Sequence, residues 1–232
     1  MLPIAILAGG LGTRLYPLTT ALPKALVPIQ GEPFIAHQFR LLRSNGIEDV
    51  VLCVGYLGQM IRDYVGDGKR FGLRVEYSWD GEILRGTAGA LISALPLLGS
   101  SFFTMYGDSF LPCDYEAIGK HFSLSGKQGL MTVFRNEGRW DCSNVEFSEG
   151  RILAYDKREK SPHMQYIDYG LSIFQSSAFD KDLQLPADLS LVHQCLLRAG
   201  QLEGFEVMQR FFEVGSFDGL DSMAKLLEQN QR

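Results

Sequence analysis

Residues Leu7 to Ile29, LAGGLGTRLYPLTTALPKALVPI, set three glycines, Gly9, Gly10 and Gly12, directly behind a short apolar run and follow them with two cations, Arg14 and Lys24. That combination suits an anion. Glycines let backbone N–H groups approach phosphate oxygens without Cβ interference, and successive N–H groups converge on them as a nest. Arg14 and Lys24 would then neutralise a triphosphate. A bare pair of glycines is better explained by a tight turn out of a strand, so the weight rests on the cations that follow. Two familiar phosphate loops are excluded. Gly10-Leu11-Gly12 continues into Thr13, Arg14 and Leu15 rather than to a third glycine opening a helix, and no GxxxxGK stretch followed by Ser or Thr occurs. A second candidate is Asp108, which stands just past an apolar run at 102–106, where open α/β sheets bind ligands. His37, His121, His163 and His193 are far apart and show no pairing with Cys or Ser that would make a catalytic dyad. Core or surface roles are expected for them.

The elements that must position these residues follow from periodicity. Continuous apolar runs at 3–8, 49–54, 73–79 and 102–106 predict buried strands. Between them Pro33 opens a helix in which Ile35, Phe39 and Leu42 face inward and His37, Arg40 and Arg43 outward, up to Gly46. Further helices are expected near 57–65 and 87–95. This succession predicts an α/β fold with a mostly parallel sheet covered on both faces. Beyond Gly107 the rhythm changes to short strands at 130–135, 144–147, 152–155 and 169–174, which predicts antiparallel additions. Helices near 189–198 and 219–227 flank strands at 205–208 and 211–214. Phe102, Phe103, Phe211 and Phe212 are expected to pack in the core.

The chain has 232 residues, 46% of them hydrophobic and 21% charged, a globular profile large enough for a core without disulfide or metal staples. With 22 Lys plus Arg against 27 Asp plus Glu, the net charge of −5 argues against a sequence-independent grip on nucleic acid or an anionic membrane. Any anionic ligand must be held locally. Cys53, Cys113, Cys142 and Cys195 lack metal-site spacing, so reduced thiols and a cytoplasmic location are expected. No apolar run approaches the roughly 20 residues that cross a bilayer, and the start of the chain lacks the basic region of a signal peptide.

The glycine string with its cations, GGLGTR and then Pro23-Lys24, resembles the signature of the sugar-1-phosphate nucleotidyltransferases. Gly86-Thr87-Ala88-Gly89 is similar to the second loop of that family, Gly107-Asp108 to its metal motif, and Phe212-Glu213-Val214-Gly215 to its late acidic motif. Four motifs thus stand in family order. The resemblance implies a Rossmann-like nucleotidyltransferase fold in a single domain over 1–232, with a nucleotide half at about 1–110 and a sugar-phosphate half at about 111–232. It implies a nucleoside triphosphate and a sugar 1-phosphate as substrates, and an NDP-sugar and pyrophosphate as products.

Residue by residue, the resemblance makes Arg14, Lys24 and Asp108 catalytic. It places the nucleotide against Leu7, Ala8, Gly9, Gly10, Gly12 and Thr13 in the first loop and Gly86 and Thr87 in the second. Mg2+ would sit on Asp108 and Glu213. Asp156-Lys157 matches the Glu-Lys of an EKP segment, with Lys157 the clamp on the sugar phosphate, and Ser143, Asn144 and Gly170 would face the sugar. Glu82 and Tyr56 would lie near the base. The departures are Arg85 where Leu is usual, Arg158 for the proline of EKP, Glu213 for the commoner Asp, Ile167-Asp168-Tyr169-Gly170 for Asn-Ala-Gly, and Ser190-Leu191-Val192 where a carboxylate is expected. The length and the string FFEVGSFDGL most resemble short heptose-1-phosphate guanylyltransferases. Muramate-phosphate uridylyltransferases, phosphocholine cytidylyltransferases and mannose-1-phosphate guanylyltransferases follow. A bacterial envelope pathway would fit, a homo-oligomer is compatible, and no hexapeptide-repeat domain is expected. A silent sugar-nucleotide sensor is the competing reading, and the intact Arg14, Lys24, Asp108 and Glu213 argue against it.

Overall fold

The computed structural model describes residues 1–81, 85–180 and 183–230; Glu82 lies outside them. Strand β1 (Ile4–Leu7) forms where four apolar residues run without a polar break. Its period of two sends Ile4 and Ile6 into one core cluster and Ala5 into another, one on each face of the sheet. A short hairpin of β2 (Pro28–Ile29) and β3 (Glu32–Pro33) leads into α1 (Phe34–Ser44). The alternation then continues through β4 (Asp49–Val54), α2 (Gly58–Val65), β5 (Arg74–Trp79), α3 (Gly86–Leu98) and β6 (Ser101–Tyr106).

After β6 come β7 (Ser109–Phe110), α4 (Tyr115–Ser125), β8 (Gly129–Arg135), β9 (Val145–Ser148), β10 (Arg151–Tyr155) and β11 (Tyr166–Gln175). The described chain closes with α5 (Leu189–Arg198), β12 (Leu202–Val207), β13 (Phe212–Glu213) and α6 (Phe217–Asn230). β1 pairs in parallel with β4 on one side and β6 on the other, so Ile4 stands beside both Val50 and Phe103. β5 extends the parallel set beyond β4. β11 runs antiparallel to β6, β8 and β9, as the short strands of the second half predicted, while β12 returns parallel to β8.

Core residues of α1, α2 and α4 join the cluster containing Ile4 and Ile6, and those of α3 and α5 join the cluster containing Ala5. Because the neighbours of β1 lie on opposite sides, the chain leaves in one direction and returns in the other. The carboxyl ends of β1 and β6 therefore border a crevice, the usual ligand position in such sheets.

Two expectations need correction. His37 was expected to face outward, but it is buried because the β2–β3 hairpin folds over the start of α1, bringing its Nε2 to 3.1 Å from the Ile29 carbonyl. The second half also holds a helix that strand periodicity did not anticipate, α4. Asp114 caps it by accepting from the Ala117 N–H at 2.9 Å, and Tyr115, Ile118 and Phe122 form its inward stripe. All four cysteines are free thiols, and among the described residues no helix is long and apolar enough to cross a membrane.

Candidate active site

The glycine loop is fastened to its neighbours by main-chain bonds. The Ala8 N–H donates to the Cys53 carbonyl at 2.8 Å, and the Gly107 N–H to the Leu7 carbonyl at 2.9 Å, which ties the ends of β1, β4 and β6 together. Gly12 is left-handed, with φ of 68°, and starts a single turn at Thr13–Leu15 whose Leu15 is fully buried. A Cβ there would be strained and would press within 2.9 Å of the Lys24 side chain. The buried Thr19 hydroxyl donates to the Gly12 carbonyl at 2.8 Å and holds the loop closed.

The far side of the crevice is the start of α3. Gly86 has a φ of 75°, and a Cβ on it would lie 2.4 Å from the Ala187 carbonyl oxygen, so this position requires glycine. Between the two loops opens a cavity of about 230 Å³ walled by Leu7, Gly9, Cys53, Gly86, Thr87 and Ala90. Tyr106, Asp80, Lys24 and Asp108 also line it.

Asp108 accepts from the Lys24 ammonium at 2.8 Å, each side chain being 19% exposed. A Cβ placed on Gly215 would stand 2.8 Å from the Arg14 guanidinium and 3.3 Å from Asp108 Oδ2, so Arg14, Asp108 and Gly215 converge on one spot. The two carboxylate segments are bound to each other: β13 pairs with β7, and the Val214 N–H donates to the Asp108 carbonyl at 2.8 Å. From below, the buried Gln38 amide donates to the Ser109 carbonyl at 2.6 Å and the Tyr106 carbonyl at 3.3 Å, clamping the turn that carries Asp108.

Solvent reaches the Glu213 side chain, yet the surrounding protein disfavours its charge and the nearby Asp108 carboxylate adds repulsion. Together they push its pKa up to about 7 against the opposing charge of Arg14. Two hard oxygen donors held close enough to repel each other suit a divalent cation. Among the described residues no third His, Cys, Asp or Glu joins them as a cage, so the remaining positions would fall to phosphate and water, the common arrangement for Mg2+.

On the other side of the β6 end, the Lys157 ammonium lies 3.3 Å from the Tyr106 hydroxyl and 3.4 Å from Asp188 Oδ1. Burial disfavours its charge, but Tyr106, Asp168 and Asp188 outweigh that and raise its pKa. Burial pushes the Tyr106 phenol up to about 12, so it stays protonated. Other residues expected to face the sugar are engaged within the protein. Asp156 Oδ1 accepts from the Arg158 and Glu159 N–H groups at 2.7 and 2.9 Å, and Ser143 Oγ accepts from Asn136 at 3.1 Å. Asn144 Oδ1 accepts from the Asp168 N–H at 2.9 Å, and Asp168 Oδ1 accepts from the Gly170 N–H at 3.0 Å. Arg158 is exposed. Tyr56 donates to the Thr20 carbonyl at 3.0 Å and so braces the first loop.

Three residues that sequence reasoning missed stand in the site. Asp188 caps α5, two residues before the Ser190-Leu191-Val192 stretch where the resemblance leads one to expect a carboxylate. It meets Thr87 Oγ1 at 3.4 Å as well as Lys157, and Thr87 Oγ1 accepts from the Leu189 N–H at 2.7 Å. Its signal was the N-cap position before a predicted helix, which says nothing of a partner 101 residues away. Asp80, past the carboxyl end of β5, and Gln38, inside α1, are the others. His193 does meet a serine, with its Nε2 3.0 Å from Ser172 Oγ. Both are buried, and burial lowers the imidazole pKa to about 4, so the pair is a core contact.

Residues 4–228 match the nucleotidyl transferase family. A Xenopus laevis protein named mannose-1-phosphate guanyltransferase beta-B is 30% identical over 217 residues, covering 90% of this chain and 60% of the relative. The mannose-1-phosphate guanyltransferase of Gibberella zeae is 29% identical over 219 residues with the same coverage. The chain thus spans about 60% of the length of these curated relatives. Among solved structures, a Bacillus anthracis protein assigned as a glucose-1-phosphate thymidylyltransferase, crystallised with sucrose, superimposes with a TM-score of 0.87 at 22% identity, over 97% of this chain and 95% of that one. HddC from Yersinia pseudotuberculosis, complexed with GMP-PN, gives a TM-score of 0.79 at 22% identity over 98% and 100% of the two chains. At such identities the structures speak for the fold, while the family match spans the glycine loop, Asp108 and the late acidic strand. The chain belongs to the nucleotidyl transferase family.

Proposed function

We propose that this chain transfers a nucleoside monophosphate from an NTP to a sugar 1-phosphate, releasing pyrophosphate and forming an NDP-sugar. The observation that carries this reading is that separate cations flank the end of β6. Lys24 reaches Asp108 from one side and Lys157 reaches Tyr106, two residues earlier, from the other. Two anions that repel each other in solution would be held face to face there, which is the main catalytic task when no protein nucleophile is needed.

In this reaction an oxygen of the sugar phosphate bonds to the α-phosphorus. The bond from that phosphorus to the bridging oxygen breaks, and the electron pair leaves with pyrophosphate. The glycine-loop N–H groups, Arg14 and Lys24 hold the triphosphate, Lys157 holds the sugar phosphate, and Tyr106 keeps a proton to offer between them. Mg2+ on Asp108 and Glu213 would neutralise charge developing on the phosphates. Cys53 is no rival nucleophile, since burial pushes its thiol up to about 12.

We read the two halves as one domain and the product as a GDP-sugar, GDP-heptose first, ahead of UDP- or CDP-linked products. The relatives named as mannose-1-phosphate guanylyltransferases favour the guanine nucleotide, while heptose rests on the resemblance of the FFEVGSFDGL string. Free thiols fit the reducing cytoplasm. The test is pyrophosphate release with GTP, UTP, CTP and dTTP, each against heptose, mannose and glucose 1-phosphates. One pair should give pyrophosphate and NDP-sugar in equal amounts. Nucleotide binding without pyrophosphate from any pair would point to the sensor instead.

A further inference from the structure

The starts of α3 and α5 meet beside the cavity and are stitched together by the main chain. The Ala187 N–H donates to the Arg85 carbonyl and the Ala88 N–H to the Ala187 carbonyl, each at 3.0 Å. The Leu189 N–H adds a bond to Thr87 Oγ1 at 2.7 Å. The backbones touch, since a Cβ on Gly86 would stand 2.4 Å from the Ala187 carbonyl oxygen. Beneath them Ala88 and Leu91 of α3 share one core cluster with Ala187, Leu189 and Val192. These two helix starts therefore shift together or not at all. Gly86 and Thr87 wall the cavity from this joint piece, so whatever fills the cavity rests on it.

Asp188 lies in the middle of the piece. As the N-cap of α5 it is held by one firm bond, from the Ser190 N–H to its Oδ1 at 2.8 Å. Its two remaining contacts are long: the Thr87 hydroxyl reaches Oδ2 at 3.4 Å, and the Lys157 ammonium reaches Oδ1 at 3.4 Å. Contacts of that length are at the weak end of hydrogen bonding and have room to tighten. Lys157 comes from another segment, just past β10, and its side chain is 37% exposed. Fixing an ammonium on a flexible four-carbon stem costs rotamer freedom, and a partner that fixes it beforehand spares the substrate that cost.

Resting on the nucleotidyl-transfer reading above, we propose that Asp188 is a positioning residue that couples the two substrates. A nucleotide seated against Gly86 and Thr87 steadies the joint piece, and Asp188 then holds Lys157 where the sugar phosphate needs it. Part of the ordering is done before the sugar phosphate arrives, so it binds more tightly to the nucleotide-filled protein than to the empty one. Linkage makes the effect reciprocal, the sugar phosphate strengthening the nucleotide by the same factor. Asp188 acts through Lys157 and not on the reacting atoms.

The experiment is calorimetry on the full chain with Mg2+, using mannose 1-phosphate and α,β-methylene GTP, whose carbon bridge the sugar phosphate cannot displace. If the pyrophosphate panel shows another pair to be turned over, that pair, with the same methylene bridge, replaces them. Wild-type protein should bind the sugar phosphate about tenfold more tightly with the nucleotide in place than without it, and the reverse titration should give the same ratio. Asp188→Asn and Asp188→Ser both keep a good N-cap, so α5 should start as before, but Asn gives up the charge and Ser the reach to Lys157. In each variant the ratio should fall to within about twofold of one. Any effect of the lost carboxylate on one ligand alone cancels from this ratio, which separates coupling from a general loosening of the site. A ratio near one in the wild-type protein would overturn the assignment. So would weaker binding of both ligands at an unchanged ratio, which would leave Asp188 a helix cap and no more. Coupled binding with no pyrophosphate released from any pair would contradict the transfer reaction and still support the role of Asp188.

Discussion

The two sides of the β6 end are built differently. On the expected nucleotide side the glycine loop and Asp108 follow the ends of the buried parallel strands β1 and β6, and the Lys24–Asp108 pair is 2.8 Å long with each side chain 19% exposed. On the sugar side Lys157 meets Asp188 at 3.4 Å, with the side chains 37% and 52% exposed, and the carriers are loops and short antiparallel strands. The first side is therefore set in advance and the second is adaptable. This division suits a catalyst whose triphosphate chemistry is fixed while its sugar varies between relatives. In the resting arrangement Lys24 occupies an oxygen of Asp108. On the proposed reaction, a bound triphosphate would draw that ammonium toward phosphate and free the carboxylate.

Breaking the fixed side should have the largest effect. Asp108→Asn is expected to lower turnover by about 10²-fold or more with little change in thermal stability, because a charge aligned with the transition state is lost while its partly exposed ion pair contributes little to folding. Turnover near wild type at saturating Mg2+ would remove Asp108 from the metal site.

An intermediate effect is expected where the two sides are joined. Asp188 touches both Thr87 and Lys157, so Asp188→Asn should raise the KM for both substrates, by about tenfold, since a single hydrogen-bonded contact to a charged group is altered in each case. A change confined to one substrate would show that Asp188 serves only that side.

The smallest functional effect belongs to the core beneath the sugar side. Burial holds the His193 pKa at about 4, below the 6.5 of the unfolded chain. Between those values the unfolded chain binds a proton that the folded one does not, so stability is lost as pH falls from about 6.5 to about 4, by up to about 3 kcal/mol. Denaturant titrations of wild type and His193→Gln across that window should show a flatter pH dependence in the variant, with pyrophosphate release at pH 7 altered by less than tenfold, near 1.4 kcal/mol. Parallel pH profiles would dismiss His193 as the titrating group.

The same contrast explains what could be read from the residues. The nucleotide side was legible because its determinants are local: an apolar run, then glycines, then cations, and an Asp just past a strand end. Strands β1, β4, β5 and β6 and helices α1, α2 and α3 fall close to where periodicity set them, while the short β2–β3 hairpin carried no such signal. The sugar side depends on contacts between distant segments. Asp188 reaches Thr87 across 101 residues, and Gln38 supports Asp108 from inside α1, where its spacing looked merely helical. His37 followed the outward face of its helix, and only the hairpin packing over it buries it. Helix α4 was missed because its short stripe of Tyr115, Ile118 and Phe122 lies between the apolar strand runs at 102–106 and 130–135. Asp156 and Ser143 matched family positions, yet backbone and amide partners already engage the atoms that would face a sugar.

The most direct test of this division is a crossed titration, with NTP and sugar 1-phosphate measured separately against Lys24→Ala and Lys157→Ala. Lys24→Ala should weaken the triphosphate and spare the sugar phosphate, while Lys157→Ala should do the reverse. Each loss should be about 2–4 kcal/mol if the ion pair formed with substrate is desolvated. Equal weakening of both substrates by either substitution, or a sugar-phosphate loss seen only in Arg158→Ala, would contradict the assignment of one cation group to each substrate.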